Sequence, residues 1–131
     1  MHTEKTIFAI DNNNDIHTVA KFMRHLDTAR AMGDLHGNVT LCIGYWEGIL
    51  EQSFMMDSVD YARFVLGFGY TKDQECILRV SGDTRQPCSL ETFDGKHIAS
   101  VGVMQEVSAT EARGLDAWTF IPATNKYFAT T

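Results

Sequence analysis

Between residues 44 and 54 the chain reads Gly-Tyr-Trp-Glu-Gly-Ile-Leu-Glu-Gln-Ser-Phe. Two aromatic rings, Tyr45 and Trp46, and two carboxylates, Glu47 and Glu51, crowd the connection between two β-prone runs. A ring face attracts a cation by roughly 0.5–2 kcal/mol, and a carboxylate accepts hydrogen bonds from an amine. The segment therefore suits recognition of a small organic cation. The same residues also suit an ordinary hairpin with solvated acids and edge aromatics. A second cluster, Met104-Gln105-Glu106-Val107, lies on a late β-prone run. A buried Glu106 there needs a partner; an exposed one does not.

Other chemistries find less support. No two of His2, His17, His25, His36 and His97 are spaced i, i+4, and Asp34-x-His36 offers two metal ligands without a visible third. No metal and no cofactor is expected. Ser89 and Ser100 lack a nucleophile elbow, and no Cys–His arrangement is readable from spacing. Gly67-Phe68-Gly69 follows a helical pattern instead of opening one, so it reads as a helix end and not as a dinucleotide fingerprint.

The elements that must position these residues follow from periodicity. Residues 6–10 form a first strand. Ile16, Val19, Ala20, Met23 and Leu26 share one helical face, capped by Asn14 or Asp15 and left through Gly33 and Gly37. Residues 38–46 alternate, with Val39, Leu41, Ile43 and Tyr45 on one side of a second strand and Thr40, Cys42 and Gly44 on the other. Residues 47–50 read as the connection to a third strand at 53–56. Asp57-Ser58 offers a cap for a second helix with Val59, Ala62, Val65 and Leu66 inward. Further strands are expected at 76–80, 97–107 and 117–121, with a short one at 126–129; residues 82–95 are turn-rich. The order βαββαβ with added strands predicts an α+β fold, a ferredoxin-like sandwich with extra C-terminal strands. One sheet face is then left for a second copy of the chain, which predicts a homo-oligomer.

The 131 residues make one domain, 1–131. Lys and Arg number 11 against 17 Asp and Glu, a net charge of −6, with no basic run. Nucleic acid is a poor partner for such a surface; a small cationic ligand is not. No apolar run has the length of a membrane span. The first ten residues lack a signal-peptide pattern. Three cysteines without CxxC spacing fit a reducing cytoplasm.

Three features together resemble the phage-encoded enzymes that degrade S-adenosylmethionine (SAM), once called SAM hydrolases and better described as SAM lyases. They are Gly44-Tyr45-Trp46-Glu47 after the second strand, an Ala62-Arg63 step leading to Asp73-Gln74-Glu75-Cys76, and Gln105-Glu106-Val107 ahead of a closing aromatic strand. The resemblance implies a PII-like homotrimer with ligand sites at subunit interfaces. It implies cleavage of SAM to 5′-methylthioadenosine and L-homoserine lactone, which in an infected cell removes a methyl donor and cofactor of host restriction. By position it makes Tyr45, Glu47 and Glu51 substrate-binding residues, with Gln105 and Glu106 joining from the second cluster; which loop glutamate matters more stays open. The reaction needs no enzyme nucleophile, because the substrate's own carboxylate attacks. The main rival is a non-catalytic binding or regulatory module for a small metabolite. A second is a protein that inhibits a host protein through its surface.

Overall fold

The computed structural model describes residues 4–57, 69–74, 76–83 and 85–130. Strand β1 (Lys5–Ala9) lies between β3 (Ile49–Asp57) and β4 (Ile77–Val80), antiparallel to both. Helix α1 (Ile16–Ala31) follows β1. Its N-cap is Asp15, whose carboxylate accepts from the His17 amide at 3.0 Å and the Thr18 hydroxyl at 3.1 Å. The helix ends at Gly33, which takes φ 78°, a conformation that costs glycine little.

The buried stripe of α1 is Val19, Phe22, Leu26 and Ala29. It is rotated from the expected one: Ile16 is 74% exposed and Met23 44%. Phe22 decides the rotation. Its ring packs edge-on against Phe54 and Tyr70, each at 4.8 Å, and against Phe8 at 6.2 Å. Burying one such ring contributes roughly 1.5–3 kcal/mol, more than a methionine at the margin of the stripe.

The remaining elements are β2 (Val39–Trp46), β5 (Ser89–Glu91), β6 (His97–Ser100), β7 (Met104–Val107), the short helix α2 (Ala109–Arg113), β8 (Ala117–Ile121) and β9 (Lys126–Thr130). The nine strands among the described residues join one sheet in the order β6-β5-β4-β1-β3-β2-β8-β9-β7, every pairing antiparallel.

This corrects the expected ferredoxin-like βαββαβ sandwich and its PII-like trimer. The late strands are not additions to a finished four-stranded sheet; they continue it on both sides into a nine-stranded half-barrel. The described residues hold two helices, of which only α1 is long. The expected second helix, over residues 59–66, lies outside the described residues. The expected single strand 97–107 is two strands, parted at Gly102 with φ 99°.

Those two strands are the opposite edges of the sheet. Flat, nine strands would set the edges about 38 Å apart. Yet the chain passes from Ser100 to Met104 in four Cα steps, at most about 15 Å. The sheet must therefore curl. Cys88 marks the seam: its amide donates to the Gly102 carbonyl at 2.7 Å, its carbonyl accepts from Val101 at 3.0 Å, and the Met104 backbone hydrogen-bonds its thiol.

Candidate functional site

The β2–β3 connection is two residues long, Glu47-Gly48, instead of the expected four. Glu47 has φ 47° and Gly48 φ 86°, the pair of positive angles that a tight hairpin turn between right-twisted strands requires. β3 consequently starts at Ile49, and Glu51 is a strand residue. Glu47 stands exposed at the tip, its amide donating to the Asp116 carbonyl at 3.1 Å.

Pairing register then places the candidates on two faces. Tyr45 lies opposite Leu50 on one side and Trp118 on the other. One step before Thr119, Trp118 is level with Ala129, and Ala129 lies opposite Gln105. Tyr45 and Gln105 therefore share a face. On the other face runs the row Glu51, Gly44, Thr119, Phe128, Glu106, each opposite the next. Glu51 and Glu106 are the two ends of that row, about 19 Å apart along the curved sheet. The two predicted clusters thus reach one level of the sheet, three strands apart at β2 and β7, without touching within the chain. Gly44 leaves a gap in the row beside Glu51; a Cβ there would stand 3.1 Å from Ser53 Oγ.

Sequence reading missed the aromatic partners. The Tyr45 and Trp118 rings stack at 5.3 Å with planes 13° apart. Tyr127 meets Trp118 edge-on at 5.3 Å and Phe120 at 4.6 Å. All four rings are half-buried. The signal for them was the alternation of Trp118 and Phe120 along residues 117–121, together with the expected pairing of late strands. Trp46 belongs to the opposite face and is 53% exposed.

The hairpin that carries this row is apolar at its tip. Ile49 is 58% and Leu50 63% exposed. Glu106 pairs with Lys126 at 3.4 Å, a pair open enough to solvent to contribute little.

A cleft of about 130 Å³ between α1 and the sheet, lined by Met23, Leu26, Arg30, Val39, Leu41 and Phe54, is below the ~300–1,000 Å³ of usual small-ligand sites. Among the described residues no three His, Cys, Asp or Glu side chains gather as a metal site. No helix among them is long and apolar enough to cross a membrane.

No curated protein matches the chain. Residues 9–131 match the model of the S-adenosylmethionine lyase family, from the end of β1 through β9. That match supports an enzymatic, lyase-type activity on SAM. With the match covering nearly all of the sequence, the chain belongs to the S-adenosylmethionine lyase family.

Proposed function

We propose that the protein cleaves SAM to 5′-methylthioadenosine and L-homoserine lactone, with the substrate's carboxylate as nucleophile. A carboxylate oxygen bonds to the γ-carbon, the γ-carbon–sulfur bond breaks, and its electron pair leaves with sulfur as a neutral thioether. No proton has to move. What remains for the protein is to fold the substrate so that oxygen, carbon and sulfur are in line. Such orientation supplies effective molarities of about 10⁵–10⁸ M, or roughly 7–11 kcal/mol.

The observation that carries this reading, beside family membership, is the Tyr45–Trp118 stack next to the acidic hairpin tip. Charge explains its suitability. Carboxylate and sulfonium neutralise each other on the way to the transition state. Surroundings of low polarity therefore favour the step, whereas a carboxylate against the sulfonium would stabilise the ground state. Aromatic faces attract the cation without supplying a full negative charge. Tyr45 and Trp118 accordingly receive the sulfonium or the adenine. Glu47, Glu51, Gln105 and Glu106 anchor the α-amino group, ribose or adenine.

Tyr45 and Glu51 face opposite sides of one sheet, so one ligand reaches both only if two copies contribute. The exposed Leu50 and Ile49 beside them gain from being covered. A site shared between copies of the chain follows. Acting in the cytoplasm of a phage-infected cell, such an enzyme would deprive SAM-dependent restriction of its cofactor.

Incubating the pure protein with SAM and separating products by chromatography with mass detection tests the reading. Methylthioadenosine with homoserine lactone is expected. Intact SAM would overturn it in favour of a binding module.

A further inference from the structure

A second cleft lies away from the aromatic row, on the other flank of β1. It measures about 370 Å³ and is lined chiefly by Glu4, Arg79, Ser81, Ser89 and Glu91. Its floor is built on paired strands: Arg79 lies opposite Ser89, and Glu91 opposite Ile77. The Arg79 guanidinium pairs with Glu4 through Nη2 and with Glu91 through Nη1, the latter at 3.4 Å. Each pairing uses one N–H, so the five-donor fork keeps three for a ligand.

Glu91 is held as well. Its side chain is only 14% exposed. Ser89 Oγ donates to Glu91 Oε2 at 3.2 Å, and His97 Nδ1 lies 3.0 Å from Ser89 Oγ. Contacts to Glu91 on one side and His97 on the other hold the Ser89 hydroxyl in place and leave Glu91 oriented.

The cleft therefore offers an oriented guanidinium beside an oriented carboxylate, with serine hydroxyls around them. Two acids against one base leave it net negative. An α-amino-acid group presents the complementary pair, a carboxylate next to an ammonium. Its two charges are as closely spaced as Arg79 and Glu91, so both can be met at once.

We propose that this cleft binds an α-amino-acid group, its carboxylate on Arg79 and its ammonium on Glu91. The group is either a free amino acid or the amino-acid tail of SAM; the cleft reads what they share. The proposal does not depend on turnover.

Calorimetric titration of the intact protein with L-methionine, and separately with SAM, tests it. L-Methionine is expected to bind once per chain. Its methyl ester and its N-acetyl derivative should bind at least about tenfold more weakly, since each lacks one of the two charges. If saturating methionine weakens SAM binding and Arg79→Gln removes that competition, the tail of SAM uses the cleft. If methionine binds without weakening SAM binding and Arg79→Gln abolishes the methionine binding, a free amino acid does. Competition that survives Arg79→Gln places methionine at the aromatic row and would overturn the proposal. Should methionine alone fail to bind, Arg79→Gln must weaken SAM binding at least about tenfold for the SAM-tail form to stand. Ser81→Trp, which fills the cleft and leaves the ion pairs in place, serves if Arg79→Gln does not fold. Equal binding of methionine and both derivatives would overturn the proposal. So would absent methionine binding with SAM binding unchanged in the variant. Loss of SAM turnover alone would count against the lyase reading and not against this one.

Discussion

Tyr45 and Trp118, 73 positions apart in sequence, stack at 5.3 Å because β2 and β8 pair in the register that sets them opposite each other. The stack is half-buried and lies one residue from the hairpin turn that carries Glu47 at its tip. It joins the region predicted to bind a cation to a strand near the end of the chain.

The first prediction removes one ring. Trp118→Ala should raise the KM for SAM about 5- to 30-fold, the equivalent of roughly 1–2 kcal/mol of ring contact. Trp118→Phe should recover most of the loss. Steady-state kinetics on both variants decide it, and an unchanged KM in Trp118→Ala would remove the stack from the site.

The glutamate row gives the second. If Glu51 anchors the amine, ribose or adenine, Glu51→Gln should weaken SAM binding by about tenfold, the cost of losing a charge-assisted hydrogen bond. Binding and turnover at the level of the unaltered protein would show that Glu51 has no such role. The same comparison on Glu106→Gln tells whether both ends of the row contribute.

Association gives the third. A site shared between copies exists only in the assembly, so activity per chain should fall on dilution. Leu50→Asp, a charge placed at the exposed hairpin tip opposite Tyr45, should bring that fall to higher concentration. Sedimentation and activity measured over the same dilution series check it. Constant specific activity in a demonstrated monomer would contradict the shared site.

A fourth concerns stability. Burial pushes the Cys42 thiol from 9.0 up to about 11, opposed in smaller measure by a hydrogen bond from the Met55 backbone. Below pH 9 the thiol is neutral in both folded and unfolded chains, and its contribution is fully present. Above that the unfolded chain sheds the proton and the folded one resists. Stability should therefore fall as pH rises from about 9 to about 11, by up to ~1.4 kcal/mol per pH unit from this group. Burial raises Cys88 too, so Cys42→Ala should flatten the slope only in part. Denaturant titrations across that pH range measure it.

Local pattern told much of the element list and little of the pairing. Asp15 caps α1 as its chemistry suggests, and the alternation from Val39 to Tyr45 does divide the two faces of β2. The start of β3 was misread because Glu47-Gly48 suffices as a turn when both residues accept positive φ. Helix α2 was overlooked although Ser108 and Glu111 form a reciprocal capping box, a signal plainly present in the sequence. The ferredoxin-like sandwich failed for a different reason. Periodicity reports which residues share a face of one strand, not which strand lies alongside. That residues 97–100 and 104–107 end on opposite edges depends on a turn at Gly102 and on distant partners at β5 and β9. The site suffers likewise: Tyr45 was visible alone, while its stack on Trp118 required the sheet order.

The central claim is attack by the substrate's own carboxylate, and the most direct measurement runs the reaction in water enriched in oxygen-18 with mass detection of the products. The account predicts homoserine lactone without the label. Any homoserine that forms later by opening of the lactone should carry the label in its carboxylate. Homoserine present from the earliest times, with the label in its γ-hydroxyl, would mean that water attacks the γ-carbon and would contradict the account.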